Sequence, residues 1–205
     1  LLIYRGAEAE IIMDTYLGRK VIKKRRIPKG YRIPELDKRL RLQRTKEEAK
    51  LMVEARRGGV PVPIIYDVNL KEFTIIMEYV DGERVKELIP KLTERERKEI
   101  CTMIGRNVAR LHNANIVHGD LTTSNMILKN DKVYFIDFGL GEFSSEIERR
   151  GVDLHLLMEA FSSAHPEYPD LFNYVMEGYR SIYEGNAREI EKKIEEIIRR
   201  GRYMK

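Results

Sequence analysis

The stretch His118-Gly119-Asp120-Leu121-Thr122-Thr123-Ser124-Asn125 places an aspartate five residues before an asparagine. Twelve residues beyond Asn125 comes Asp137-Phe138-Gly139, directly behind the apolar run 133–136. These are the residue types that phosphoryl transfer requires. That reaction asks little covalent work of a protein. It needs metal ions that bridge phosphate oxygens, and a carboxylate that orients the attacking hydroxyl. Mg²⁺ is hard, and with phosphates and water completing its shell it needs only one or two protein oxygens. Asn125 and Asp137 can supply them, and Asp120 can face a γ-phosphate from the same loop. Either motif alone would read as turn acids with a capping asparagine. Both together, in this order and with a hairpin between them, point to phosphoryl transfer.

The elements that must position these residues follow from the apolar pattern. Residues 2–5, 10–16 and 19–24 are predicted strands, with turn signals at Gly6 and Leu17-Gly18. Residues 27–34 form a loop punctuated by Pro and Gly. A helix is predicted over 37–57, stopped by Gly58-Gly59. Residues 64–68 and 73–79 read as a hairpin. Thr93 with Glu96 forms a capping box. The helix it opens carries Ile100, Met103, Ile104, Val108 and Leu111 at helical spacing, a core stripe that includes Cys101. A small hairpin over 126–128 and 133–136 follows, then helices over 152–163, 168–184 and 186–200. Strands with one helix, then mostly helices, give an α+β chain in two lobes, 1–79 and 80–205.

Composition narrows the class. The chain has 205 residues, a net charge of +5 and 42% hydrophobic residues, which suits a folded rather than a disordered protein. One cysteine excludes a disulfide framework, and no apolar run is long enough to span a bilayer. We expect a cytoplasmic protein with no membrane partner. Residues 1–60 hold 17 Lys/Arg against 8 Asp/Glu, so the remainder is acidic at −4. The last seven residues add four positive charges and no acid. Positive charge at both ends makes a polyanion partner worth testing. Sparse aromatics there argue against a platform for stacking single strands.

With these motifs in place, nearly the whole chain resembles the protein-kinase-like superfamily. The resemblance implies a minimal two-lobed fold, with a small N-lobe sheet carrying one main helix and a mostly helical C-lobe. It implies ATP and Mg²⁺ as cofactors, Asp120 as catalytic base, and Asn125 and Asp137 as metal ligands. It also asks for a strand lysine paired with a helix glutamate. Lys24 with Glu48 is favoured, and Lys23 and Glu47 remain alternatives because one residue of register changes the face. Gly6, Ala7 and Glu8 fall in the nucleotide loop. Met77, Glu78, Tyr79 and Val80 fall where the family's hinge meets adenine. Asp153 resembles the helix aspartate that anchors the catalytic loop. His118 is expected to brace that loop, and His112, His155 and His165 to be structural.

Four departures set the chain apart from ordinary protein kinases. The loop Gly6-Ala7-Glu8-Ala9-Glu10 has a single glycine. Gly119 stands where Arg usually precedes the base. Thr122 stands where a lysine usually follows it. Gly151-Val152-Asp153 comes within twelve residues of Gly139, so the platform that grips a peptide is missing. With Pro28-Lys-Gly-Tyr-Arg-Ile-Pro34, Arg44-Thr-Lys-Glu-Glu-Ala49 and the ending Arg-Gly-Arg, these features resemble the small atypical Bud-type kinases of the KEOPS complex. That resemblance implies autophosphorylation, ATPase activity, a role in making threonylcarbamoyladenosine in tRNA, and docking to a Kae-type catalytic subunit and a Cgi-type regulator. Contact with tRNA is expected through the basic tail, at Arg199, Arg200 and Arg202. The competing readings are a RIO-type kinase of ribosome assembly, against which Asp137-Phe138-Gly139 was weighed, an aminoglycoside-type phosphotransferase, for which 66 residues after Gly139 leave little room, and a scaffold.

Overall fold

Strands β1 (Leu2–Arg5), β2 (Ala9–Tyr16) and β3 (Arg19–Arg26) form an antiparallel meander in this computed structural model, which describes residues 1–6 and 8–203. Ala7, Met204 and Lys205 lie outside the described residues, as do the side chains of Arg202 and Tyr203. The β2–β3 turn is Leu17-Gly18, with φ of 48° and 74°. Two positive φ angles suit the right-handed twist of a two-residue hairpin. Helix α1 (Pro34–Arg57) starts three residues before the expected 37, because Pro34 occupies the first turn, where its fixed φ is helical already. Strands β4 (Ile65–Asn69) and β5 (Thr74–Glu78) complete a sheet of order β1-β2-β3-β5-β4. The buried face of α1 changes character along its length. Leu51, Met52 and Ala55 are apolar, whereas Asp37, Thr45 and Glu48 are polar and equally buried. Each polar group is satisfied: Asp37 takes Arg41, Thr45 Oγ1 donates to the Arg41 carbonyl, and Glu48 reaches across to β3.

A mostly helical region follows. Strand β6 (Glu83–Arg84) and helix α2 (Val85–Leu88) lead to α3 (Glu94–Asn113). The capping box is formed: Glu96 N donates to Thr93 Oγ1, and Thr93 N donates to Glu96 Oε2 at 2.8 Å. Ile100, Ile104, Val108 and Leu111 are buried, and Met103 is half-buried against them. Cys101 is fully buried, and desolvation pushes its thiol up to about 12, so it packs and does not react. Strand β7 (Ile116–Val117), the hairpin β8 (Met126–Lys129) with β9 (Lys132–Phe135), and β10 (Glu142–Phe143) come next. Helices α4 (Ile147–Ala164), α5 (Leu171–Ile182) and α6 (Ala187–Tyr203) close the chain. Among the described residues no helix is long and apolar enough to cross a membrane. An antiparallel sheet region followed by helices is the α+β architecture that the sequence predicts.

The crossing of α3 and α5 rests on two glycines. A Cβ on Gly105 would lie 1.8 Å from the Val175 carbonyl oxygen, and one on Gly178 would lie 2.0 Å from that of Thr102. Each glycine lets the backbones touch, and backbone cannot swing aside as a side chain can. Gly105→Ala is expected to destabilise the chain by about 3 kcal/mol. At this size that lowers the melting temperature by roughly 6–12 °C, read by thermal denaturation. A shift within about 1 °C would show that the helices separate at no cost.

Candidate active site

Backbone geometry sets up the catalytic loop. Gly119 has φ 79°, and a Cβ there would meet the Leu140 carbonyl oxygen at 2.2 Å. Glycine is thus required at the position where ordinary kinases carry arginine. Glu142 pairs with Val117, so β10 ties the segment after Gly139 back onto β7, just before the loop. Asp153, fully buried on α4, accepts hydrogen bonds from His118 N at 2.8 Å and from Gly119 N at 2.9 Å. His112 Nε2 lies 3.3 Å from the same carboxylate, and its Nδ1 is 2.9 Å from the Tyr179 hydroxyl. One carboxylate thereby joins α3, α4, α5 and the loop. Asp120 N donates to His118 Nδ1, and His118 Nε2 sits 3.1 Å from the Ile136 carbonyl oxygen. Burial lowers the His118 pKa despite the acids around it. A neutral ring with one acceptor and one donor nitrogen fits both contacts, so His118 braces the loop as expected.

Asn125 donates through Nδ2 to the Asp120 carbonyl oxygen at 3.0 Å and to Asp120 Oδ2 at 2.8 Å. Its amide NH₂ is used in orienting Asp120, which leaves its side-chain carbonyl oxygen able to face a metal. Asp137 sits at φ 64° directly after β9 and its flanking Ile136. Its Oδ1 accepts from Lys24 Nζ at 2.6 Å and from Gly139 N at 3.2 Å. Burial alone would raise the Asp137 pKa, but the Lys24 charge and its hydrogen bond outweigh that and hold the carboxyl below the usual range. Among the described residues no cluster of three or more His, Cys, Asp or Glu could hold a metal by itself. A metal bound together with phosphates needs only the pair of oxygens that Asn125 and Asp137 offer, so the donor set fits.

Register resolves the lysine and the glutamate. Lys24 Nζ meets Glu48 Oε1 at 2.7 Å, with both side chains buried. Lys23 points to the other face of β3 and pairs with Asp14, and Glu47 accepts from Gln43 at the surface. Burial would lower the Lys24 pKa, but Glu48 and Asp137 together raise it. The ammonium therefore stays charged.

A cavity of about 260 Å³ brings these groups together. Gly6, Glu8, Lys24, Asp120 and Asp137 line it. Met77, Glu78, Tyr79 and Val80 do not; they lie at and beyond the end of β5, where Met77 and Val80 are buried and Glu78 takes Lys129. Glu8 is drawn to Arg44 at 2.7 Å, with Lys29 and Arg32 within 4 Å. Sequence reasoning missed two cations of the cavity, Arg26 and Arg44. Strand alternation was the available signal for Arg26, since residues i and i+2 share a face. Nothing local marks Arg44. In the tail, Arg200 pairs with Glu148 at 2.9 Å, and Arg199 sits 3.8 Å from Glu195.

Comparison with known proteins agrees with this geometry. The RIO domain model matches residues 19–140. That match includes Asp137-Phe138-Gly139, the tripeptide weighed against a RIO-type kinase of ribosome assembly, so the domain is shared while that role is not what the relatives' names favour. The KEOPS complex subunit Bud32 of Pyrococcus abyssi is 51% identical over 98% of this chain and 96% of its own length. A probable serine/threonine-protein kinase BUD32 homolog of Archaeoglobus fulgidus is 44% identical, with the same two coverages. A probable bifunctional tRNA threonylcarbamoyladenosine biosynthesis protein of Methanosphaera stadtmanae is 43% identical, and this chain spans 36% of its length. Kinase-like proteins of this kind work with ATP and a divalent metal in general. The chain belongs to the RIO-domain family of kinase-type enzymes and, within it, to the Bud32 proteins.

Proposed function

We propose that the chain is an ATP-dependent phosphotransferase and ATPase that works as a KEOPS subunit in forming threonylcarbamoyladenosine in tRNA. One observation carries the chemistry: Lys24, Asp120 and Asp137 converge on a single cavity while β10 pins the segment after Gly139. The two lobes, 1–79 and 80–205, would close around the nucleotide. Lys24, steadied by Glu48, would hold the α- and β-phosphates, Asn125 and Asp137 would hold Mg²⁺, and residues 77–80 would meet adenine. Mg²⁺ would supply charge neutralisation between the phosphates. Asp120 would orient the acceptor hydroxyl, which a missing peptide platform restricts to water, the chain's own Ser or Thr, or a docked partner. The Kae-type and Cgi-type subunits are the partners this reading implies, in the cytoplasm. The names of the Pyrococcus and methanogen relatives support it.

ATP turnover by the purified chain, alone and then with those subunits and tRNA, tests the reading. Slow turnover alone and a rise with the complete set is expected. Equal turnover with and without them would remove the complex from the account. Fast phosphorylation of added peptides would favour an ordinary protein kinase.

The basic tail makes a separate prediction. Deleting residues 199–205 should weaken tRNA binding. It should also flatten the dependence of log affinity on log salt by roughly 0.7–0.9 per lost phosphate contact. Filter binding across a salt series reads both. Unchanged affinity and slope would move the contact elsewhere.

A further inference from the structure

We propose that Arg26 is a second phosphate-binding cation of the nucleotide site, coupled to Lys24 through the carboxylate they share; this rests on the ATP-site reading above. Lys24 and Arg26 are two residues apart on β3 and both face the cavity. Glu48 holds one with each oxygen, Lys24 at Oε1 (2.7 Å) and Arg26 at Oε2 (2.6 Å). The three side chains are only 8%, 4% and 2% exposed. Two cations against one anion leave this buried triad with an excess positive charge. Uncompensated charge away from water is costly, so the site favours a counter-anion.

In this structure Asp137 provides that balance, through its contact with Lys24 at 2.6 Å. An Asp137 whose oxygens serve a metal can no longer balance the triad in full. The excess charge then suits the phosphates that accompany the metal. The position of Arg26 agrees. Its Nη2 lies 3.5 Å from where a Cβ of Gly139 would sit, beside Asp137. Its contacts to Glu48 and to the Arg44 carbonyl oxygen both use Nη2. Nε and Nη1 make no hydrogen bond or ion pair among the described residues. A guanidinium is suited to such a task, because its planar fork of donors matches a phosphate edge.

The departures from ordinary kinases show why a second cation is needed. Thr122 removes a lysine from the γ-phosphate, and a one-glycine loop offers fewer backbone N–H groups. Arg44 is the other guanidinium in the cavity, and it is taken by Glu8 at 2.7 Å. Arg26 has no such carboxylate to itself.

Isothermal titration of the purified chain with ATP, ADP and adenosine, each with Mg²⁺, tests this. Arg26→Gln is expected to weaken ATP binding roughly 10- to 100-fold while leaving adenosine unchanged. Arg26→Lys, which keeps the charge and loses the fork, should restore only part of the loss. The ATP-to-ADP ratio in each variant tells which phosphate Arg26 meets. The variant keeps one Lys24–Glu48 pair, which is neutral, and thermal unfolding checks that it folds. Arg26→Met, apolar and long enough to fill the space, takes its place if it does not. Equal weakening of ATP and adenosine, or no weakening of ATP, would overturn the proposal and leave Arg26 a structural residue. Failure of the unaltered chain to bind ATP at all would instead overturn the nucleotide-site reading, and this inference with it.

Discussion

Asp120→Ala is expected to lower ATP turnover by roughly 10²–10⁴-fold, the span lost with a general base. The geometry singles this residue out. Three carboxylates line the cavity, and two of them are already engaged, Glu8 by Arg44 and Asp137 by Lys24. Among the described residues no cation pairs with Asp120; it takes only the Asn125 amide, at 2.8 Å. An acid held in place by a neutral donor is oriented without being neutralised, and that suits it to receive a proton. Removing its carboxylate leaves the second Asn125 contact, to the Asp120 backbone carbonyl, available. The fold should therefore survive, with the loss appearing in kcat and little change in KM for ATP. Steady-state kinetics on the chain with its partners separates the two constants. Turnover within twofold of the unaltered chain would remove Asp120 from the chemistry. Full complementation of a deletion strain by the inactive variant would make scaffolding the main role.

Glu48→Ala should have the largest effect on stability. Its carboxylate is buried between Lys24 and Arg26, touching one with each oxygen. Truncation strands two cations away from water. Breaking a buried pair by removing one partner costs about 3–5 kcal/mol, or roughly 6–20 °C in melting temperature at this chain length. The neighbouring Glu47→Ala is the control. Among the described residues Glu47 bonds only to Gln43 at the surface, so a change within about 0.5 kcal/mol is expected. Urea unfolding of both variants gives the comparison. Similar small shifts in the two would mean that the triad contributes nothing to folding. Glu48→Ala should also weaken ATP binding, because Lys24 loses the anchor that aims it at the phosphates.

These two residues show how differently the parts of the site can be read. Asp120, Asn125 and Asp137 were legible because they lie on one loop and one hairpin. A spacing of five residues within a loop, or a strand followed by Asp-Phe-Gly, constrains geometry over a few ångströms whatever the rest of the chain does. The Thr93–Glu96 box was legible for the same reason, since a helix start is a local event, whereas Asp153 was legible only through the family resemblance, because it lies inside α4. Lys24 and Glu48 were narrowed to two candidates each and no further. Adjacent residues on a strand face opposite ways, and only packing against α1 selects the face. That selection sends Lys24 to Glu48 and leaves Lys23 to Asp14.

The remaining features had no local signature. Gly119 reads as a missing arginine, and the reason for it lies in Leu140, whose carbonyl would occupy the place of a Cβ. Gly105 and Gly178 are 73 positions apart and matter only because α3 and α5 touch. Arg44 gained a role from a loop 36 residues away. The sequence by itself determined the α+β order and the close spacing of Asp120, Asn125 and Asp137, because periodicity and short-range spacing carry those. The tertiary structure alone decided which lysine is buried, that one glutamate serves two cations, and that Arg26 and Arg44 reach the cavity. Those depend on which side chains meet across elements distant in the chain, and burial decides that only when the elements pack.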